Sequence, residues 1–190
     1  MPADRVVLVA GVAPRPASEL RDRLSGIAAT VLVVESAPAT LARPLAATDA
    51  PTWDASCEQL LRDALGALQR AWRAVEPRGG RIVVVVPTVG MTGHAGLVPL
   101  ATAIEGVRAM VRSAARQWGP AGITINCVGA PIALLAPDHD GPAPYVTDPA
   151  LGALVPTLDD VVAAVRMLFD ADAPITGTTV VVDGGVVMTP

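Results

Sequence analysis

The chain has 190 residues, of which 52% are hydrophobic and only 3% aromatic, so one domain with a core of Ala, Val and Leu is expected. Its net charge is -4 and all 14 basic residues are arginines, which argues against nucleic acid as the main partner. Residues 1–5 do not resemble a signal peptide, and the apolar run 83–86 is too short to span a bilayer. We therefore expect a single cytoplasmic domain, residues 1–190, that does not insert into membranes.

Short Val-rich runs alternate with stretches of helical spacing along the chain. The runs predicted as buried strands are residues 6–10, 31–34, 82–86, 123–128 and 179–182. The stretches predicted as helices are residues 18–24, 53–75, 95–118 and 158–168. Residues 37–52 and 129–156 are rich in Pro, Ala or Gly and are predicted as loops, although 37–52 has room for a short strand. This alternation predicts a parallel sheet with helices on both faces.

Several motifs in the second half of the chain are typical of one family. They are Gly80-Arg81-Ile82-Val83, Gly122-Ile123-Thr124-Ile125-Asn126-Cys127-Val128, Ile175-Thr176-Gly177 and Val181-Val182-Asp183-Gly184-Gly185. Through these motifs the chain resembles the short-chain dehydrogenase/reductase (SDR) family, and within it the 3-oxoacyl-ACP reductases. The resemblance implies an α/β fold: a Rossmann-like, doubly wound parallel sheet.

The positions that carry catalysis in this family hold other residues here. The family uses a Tyr-x-x-x-Lys pair, whose Tyr is the general acid/base and whose Lys holds the nicotinamide ribose. The aligned residues are Leu100 and Ile104, which have no proton to exchange and no charge. The family serine aligns with Pro87; the neighbouring Thr88 is either a surrogate or a turn residue. The only tyrosine, Tyr145, lies far along the chain.

The cofactor loop of the family is also altered. Of its Gly-x-x-x-Gly-x-Gly pattern, Gly11 remains, while Arg15 and Ala17 replace the later glycines. Pro14 and Pro16 remove two amide donors that such a cradle needs. Arg15 is either a phosphate ligand or, as we favour, a solvated loop charge. No cofactor is therefore expected on this chain, and NAD or NADP is expected only in a partner subunit.

Two further positions bear on the cofactor and on the fold. Glu35 ends the second strand, where NAD-preferring relatives place an acid for the ribose, although acids are common at strand ends. The family's Asn-Asn-Ala-Gly strand has no counterpart between Glu35 and residue 75. We therefore predict a truncated sheet of about six strands, in which the strand-four region is missing or reduced.

The histidines and cysteines do not suggest a metal centre. His94 and the Asp138-His139-Asp140 triplet lie in predicted loops, and three adjacent residues cannot wrap an ion. No metal is expected. Cys57 and Cys127 are interpreted as buried free thiols, with a disulfide or redox pair as the alternative.

Three functions are compatible with the sequence. The first is a non-catalytic subunit, a pseudoenzyme, that assembles with an active SDR paralogue in an oxidoreductase hetero-oligomer. Its contacts would be helices 53–75 and 95–118 and the C-terminal strand, unless the apolar residues of these helices only fill the domain's own core. The second is an NAD(P)-dependent oxidoreductase rebuilt around Thr88, Thr92 or Tyr145. The third is a small-molecule-binding protein that uses the emptied cleft.

Overall fold

The computed structural model describes residues 4–25, 30–35, 43–76, 78–136, 149–152, 154–170 and 174–188. Within them lies a five-stranded parallel sheet with the order β2-β1-β3-β4-β5. Its strands are β1 (Asp4–Val12), β2 (Thr30–Glu35), β3 (Gly80–Pro87), β4 (Ile123–Ala130) and β5 (Thr179–Val181). The helices are α1 (Pro14–Leu24), α2 (Ala50–Trp53), α3 (Gln59–Val75), α4 (Val89–Thr92), α5 (Val98–Trp118), α6 (Ile132–Leu135) and α7 (Leu158–Asp170).

The strand order reverses direction at β1. The chain moves from β1 outward to β2 and then returns to place β3 on the other side of β1. In open α/β sheets, ligands bind in the crevice beyond the carboxyl ends of the strands at such a topological switch point. Val9 is opposite Val85 in the register of β1 and β3, so Gly11 and Pro87, each two residues further on, lie side by side at this edge.

The sheet is covered on both faces, as its continuous apolar strands require. The side chains of β1 alternate between the two faces. Val6 and Leu8 belong to a core cluster shared with α3 and α5, whereas Val7 and Val9 belong to a second cluster shared with α1 and α7. The doubly wound, three-layer architecture predicted from the sequence is confirmed.

The strand count differs slightly from the prediction. All five Val-rich runs form strands, but the described residues contain five strands and not about six. The described part of the 37–52 segment has a short 3-10 turn at Leu45–Ala47 and the start of α2; its residues 37–42 lie outside the described part. Residues 43–76 contain only helices and turns, so β1 pairs directly with β3, and the missing strand unit is confirmed within these limits.

Two helices begin earlier than the spacing indicated. α1 begins at Pro14, four residues before the predicted start, because proline suits the first turn of a helix, where its missing N–H would be unpaired. The helix predicted from residue 53 begins at Ala50, where the Asp49 side chain accepts a hydrogen bond from the Thr52 amide. A π-helical turn, Asp54–Glu58, joins α2 to α3. Among the described residues, no helix combines the length and the apolar character needed to cross a bilayer.

Candidate cofactor site at the switch point

Gly11 lies at the centre of the switch point and is enclosed by two side chains. Its φ is +72°, in the left-handed region that glycine tolerates best. A Cβ atom built on Gly11 would lie 2.7 Å from Cδ1 of Ile104 and 3.3 Å from Cδ of Pro87. The space directly above the end of β1 is therefore occupied by apolar atoms of the protein itself.

The residues that the sequence analysis aligned with the family's catalytic positions lie in the core. Ile104 is fully buried, Leu100 is 5% exposed and both belong to the cluster between the sheet and α3 and α5. Pro87, at the serine position, is buried at the end of β3. The sequence analysis expected these three side chains to line an emptied cleft, whereas each of them is buried in the domain. A ligand-binding role at this cleft stays a prediction.

The turn from β1 to α1 leaves almost no amides for a phosphate. Ala13 alone separates the strand from the helix, and its amide donates to the carbonyl of Leu135 at 2.9 Å. Pro14 and Pro16 have no amide hydrogen, and the Ala17 amide donates to the Ala13 carbonyl within the helix. A helix N-terminus binds anions through its unpaired N–H groups, and in the first turn of α1, as far as the structure describes its partners, the amide of Arg15 is left for that purpose.

Arg15 and Ala17 lie in the first turns of α1 and not in a loop, which corrects the sequence interpretation. The Arg15 side chain is 83% exposed and its Nε lies 3.2 Å from Oε1 of Glu19, one helical turn away. Ala17 is buried against α7 in the second core cluster. Arg15 is therefore the solvated charge that we favoured, although it belongs to a helix.

The threonines considered for a rebuilt site are held by local contacts. Thr88 is buried, and its amide donates to the carbonyl of Ala130 at 2.8 Å. Its methyl group lies against Gly129, 3.1 Å from where a Cβ atom would stand. The hydroxyl of Thr92 lies 3.4 Å from the carbonyl of Val89 in its own helix. Tyr145 lies outside the described residues.

The remaining candidates do not form a centre. Glu35 ends β2, opposite Val12 in the register, as the sequence predicted, and its ribose role stays a prediction. Nδ1 of His94 lies 2.9 Å from the Ala95 carbonyl, and His139 lies outside the described residues. The described part of the chain has no group of three His, Cys, Asp or Glu residues that could hold a metal ion.

Both cysteines are buried free thiols, as the sequence interpretation favoured. Burial is the largest cause that raises the pKa of the Cys127 thiol to about 12, and it also raises the pKa of the Cys57 thiol. A thiol nucleophile needs a lowered pKa and access to solvent. Neither cysteine meets that requirement, so both are core residues.

Three residues with structural roles at this site were missed by the sequence reasoning. Leu135, in the segment predicted as an irregular loop, accepts the Ala13 amide and is fully buried. The buried Asn126 donates to the Ile175 carbonyl at 2.9 Å and accepts from the Thr178 amide, which anchors the chain entering β5. Asp183 accepts from three backbone amides of the following turn. The motifs around Asn126 and Asp183 were recognised, but nothing local indicated their partners.

The family model described as enoyl-(acyl carrier protein) reductase matches residues 15–187 of this chain. The chain belongs to the short-chain dehydrogenase/reductase family. The match includes every described element after the first turn of α1, so the SDR assignment covers both the closed switch point and the motif-rich second half.

A curated SDR relative is the 3-oxoacyl-[acyl-carrier-protein] reductase FabG of Pseudomonas aeruginosa. It is 33% identical over an alignment of 135 positions, which covers 65% of this chain and 54% of that protein. The chain therefore spans about half the length of the curated relative that it matches.

Solved SDR structures share the fold at low sequence identity. A short-chain dehydrogenase from Leptospira borgpetersenii with bound NAD+ has a TM-score of 0.70 and 17% identity, over 97% of this chain and 93% of that one. A dehydrogenase from Burkholderia cenocepacia with bound NADP has a TM-score of 0.71 and 18% identity, over 99% and 95%. These likenesses establish the fold alone.

Proposed function

We propose that this SDR chain is a non-catalytic subunit that assembles with an active SDR paralogue, and that the paralogue alone binds NAD or NADP. The packing of Ile104 against Gly11 carries the proposal. Hydride transfer in this family relies on an acid/base phenol with an ammonium group beside it, and general acid/base catalysis requires a group that can exchange a proton. Leu100 and Ile104 hold those positions as buried hydrocarbon.

The phosphate side of the site supports the same proposal. A dinucleotide cradle relies on unpaired amides at a helix N-terminus, and the β1–α1 turn keeps only that of Arg15. Restoring a cradle would require separating Ala13 from Leu135, whose hydrogen bond fixes α6 over this turn. Both the catalytic positions and the phosphate cradle therefore lack the groups that the family uses. A single substitution does not restore both.

The C-terminal surface supports assembly with a partner. β5 is the edge strand of the described sheet and has only three residues, and because so short an edge is a poor template for strand pairing, we place the contact on side chains. Beside β5, an apolar patch combines Leu151, Leu154, Val155 and Met188, all more than 60% exposed. The Leu151 amide donates to the Gly184 carbonyl, which ties the patch to the C-terminal segment. Grouped exposed apolar side chains of this kind mark interaction surfaces.

Helices α3 and α5 offer less surface for a partner contact than the sequence suggested. The apolar stripe predicted on α5 is buried within the domain, from Leu100 to Ala115, so those residues fill the core. α3 retains Leu65 at 49% exposure, and Leu61 packs against Gly106 of α5, 2.6 Å from where a Cβ atom would stand. We therefore assign the larger share of the partner contact to the C-terminal patch and a smaller share to α3.

The proposed complex forms in the cytoplasm. Free thiols persist in reducing compartments, whereas oxidising ones favour disulfides. Cys57 and Cys127 are both free, which agrees with that location and with the sequence expectation.

Co-expression tests the assembly. The chain, carrying an affinity tag, is expressed with untagged SDR paralogues of its own cell that retain Tyr-x-x-x-Lys, and the eluate is weighed by native mass spectrometry. We expect a stoichiometric hetero-oligomer in which NADP or NAD travels with the paralogue. L154D is expected to release the paralogue, while L45D, which changes a leucine of 66% exposure elsewhere on the surface, is expected to retain it. Recovery of the chain without any such paralogue contradicts the proposal.

A further inference from the structure

The outer face of α5 and the segment before β5 form a groove that is separate from the switch point. Its volume is about 640 Å³, within the usual range of roughly 300–1,000 Å³ for small-molecule sites. Arg112, Ser113 and Arg116 of α5 line one side, and Thr176 and Gly177 line the other. Among the described residues that line the groove, none carries a carboxylate, although the chain as a whole has a net charge of -4.

The two arginines of the groove are uncompensated. Both are exposed, and neither forms a hydrogen bond or an ion pair with a residue that the structure describes. Arg108, one turn before Arg112, differs: it pairs with Glu105 and donates to Oγ1 of Thr179 at 3.3 Å. Like charges at i and i+4 weaken a helix slightly, so Arg112 and Arg116 repel each other.

The opposite wall of the groove is fixed to the sheet. The hydroxyl of Thr176 accepts from the Ile125 amide at 3.1 Å, and the Gly177 amide donates to the Ile125 carbonyl at 2.8 Å. Gly177 has a φ of +75° and approaches Ala115 so closely that a Cβ atom would lie 3.3 Å from that side chain. The groove is therefore bounded by a rigid turn on one side and by the two guanidinium groups on the other.

We infer that this groove binds a small phosphate-bearing anion through Arg112, Arg116 and the hydroxyl of Ser113. A guanidinium group presents its N–H donors in a planar fork that matches phosphate oxygens. Two forks one helical turn apart, about 5–6 Å between Cβ atoms, can share the oxygens of one diphosphate or of neighbouring phosphates. The Ser113 hydroxyl, between them on the helix and without a hydrogen-bond partner among the described residues, supplies a further donor.

Isothermal titration with pyrophosphate tests this site. We expect saturable 1:1 binding at low ionic strength, weakened by added salt. R112Q/R116Q is expected to lose about tenfold in affinity for each guanidinium removed, as for a charge-assisted hydrogen bond. R21Q/R166Q removes the same charge from two exposed arginines of α1 and α7 and is expected to bind like the wild type.

The site is localised by the backbone amide shifts of Ser113, Thr176 and Gly177 during the titration. Citrate is the second ligand, and binding at least tenfold weaker than that of pyrophosphate is expected if phosphoryl oxygens are recognised. Equal binding of both anions, an equal loss in R21Q/R166Q, or no binding of pyrophosphate at millimolar concentration overturns the inference. Release of the SDR paralogue by R112Q/R116Q without any pyrophosphate binding to the wild type also overturns it, because the groove is then a protein interface.

Discussion

The terminal methyl carbon of Ile104, Cδ1, lies 2.7 Å from the ideal position of a Cβ atom on Gly11, which leaves no room for a side chain there. This contact joins α5 to the end of β1 across the switch point, the place where an open α/β sheet ordinarily admits its ligand. Neither residue is unusual in isolation, because a fully buried isoleucine and a glycine with positive φ are both common. Their contact fills the space above the end of β1 with apolar atoms.

Gly11→Ala tests this contact. An alanine at φ +72° costs about 1–2 kcal/mol of stability for its left-handed backbone, and the contact with Ile104 adds about 1–3 kcal/mol of overpacking. Chemical denaturation of purified protein gives the free energy of unfolding. The control is G122A, because Gly122 has a left-handed backbone with a φ of +73° but no atom within 4 Å of its Cβ position, so only the backbone cost is expected there.

Ile104→Val removes the one carbon that meets Gly11. In the double mutant G11A/I104V, the two costs are expected to be less than additive, with a coupling energy of about 1 kcal/mol. Additive costs, or equal costs for G11A and G122A, contradict the contact.

Ile104→Lys reintroduces the ammonium group of the family but places it in a closed core. Because Ile104 is fully buried between the sheet and two helices, the substitution is expected to destabilise the fold by about 3–5 kcal/mol, as for an unpaired buried charge. The double substitution L100Y/I104K is expected to give no NADPH-dependent reduction of a 3-oxoacyl substrate, because the Ala13–Leu135 contact remains. A variant that is as stable as the wild type and oxidises NADPH contradicts a closed site.

Much of the fold followed from hydrophobic patterning, whose physical basis is burial. A Val-rich run such as residues 82–86 has few alternatives to a strand covered on both faces, and every predicted run forms one. The Gly80 and Asn126 motifs placed the chain in its family, and alignment alone placed Leu100 and Ile104 at the catalytic positions. The prediction that the catalytic side chains are missing rests on that alignment.

Whether these apolar residues leave a cavity or fill it could not be predicted from the sequence, because the answer depends on how residues far apart in the chain pack together. An apolar residue at a catalytic position can leave a cavity or fill it, and helical spacing is the same in both cases. Filling here depends on the approach of Ile104 to Gly11, which are 93 positions apart along the printed sequence. The Ala13–Leu135 hydrogen bond joins a turn to a segment interpreted as irregular, and no local signal connects them.

Alkaline pH is expected to weaken the fold through Cys127. Burial raises the pKa of its thiol from 9.0 in the unfolded chain to about 12 in the folded one, so the folded state holds its proton more tightly. The resulting stability is complete below pH 9 and is lost as the pH rises toward about 12. C127A is expected to flatten this alkaline decline in urea midpoints measured from pH 8 upward. An unchanged decline in C127A contradicts the assignment to this thiol.

Asn126→Ala is expected to detach the entry to β5. The substitution leaves the Ile175 carbonyl and the Thr178 amide without their buried partner, at a cost of about 2–4 kcal/mol for two unsatisfied groups. Hydrogen exchange should rise first at the amides of β5. The matched change T124A, at a half-buried position of the same strand, is expected to leave that exchange unchanged, and a similar rise in T124A contradicts the anchoring role.

We propose that this chain, by itself, does not hold a nicotinamide dinucleotide at the switch point. A ¹H–¹⁵N titration of the isolated chain with NADH and with NADPH, followed at the amides of Gly11, Ala13, Arg15 and Ala17, tests it most directly. We predict no saturable shift of these amides at millimolar nucleotide. Saturable shifts at Gly11 and Ala13 with either nucleotide contradict the claim.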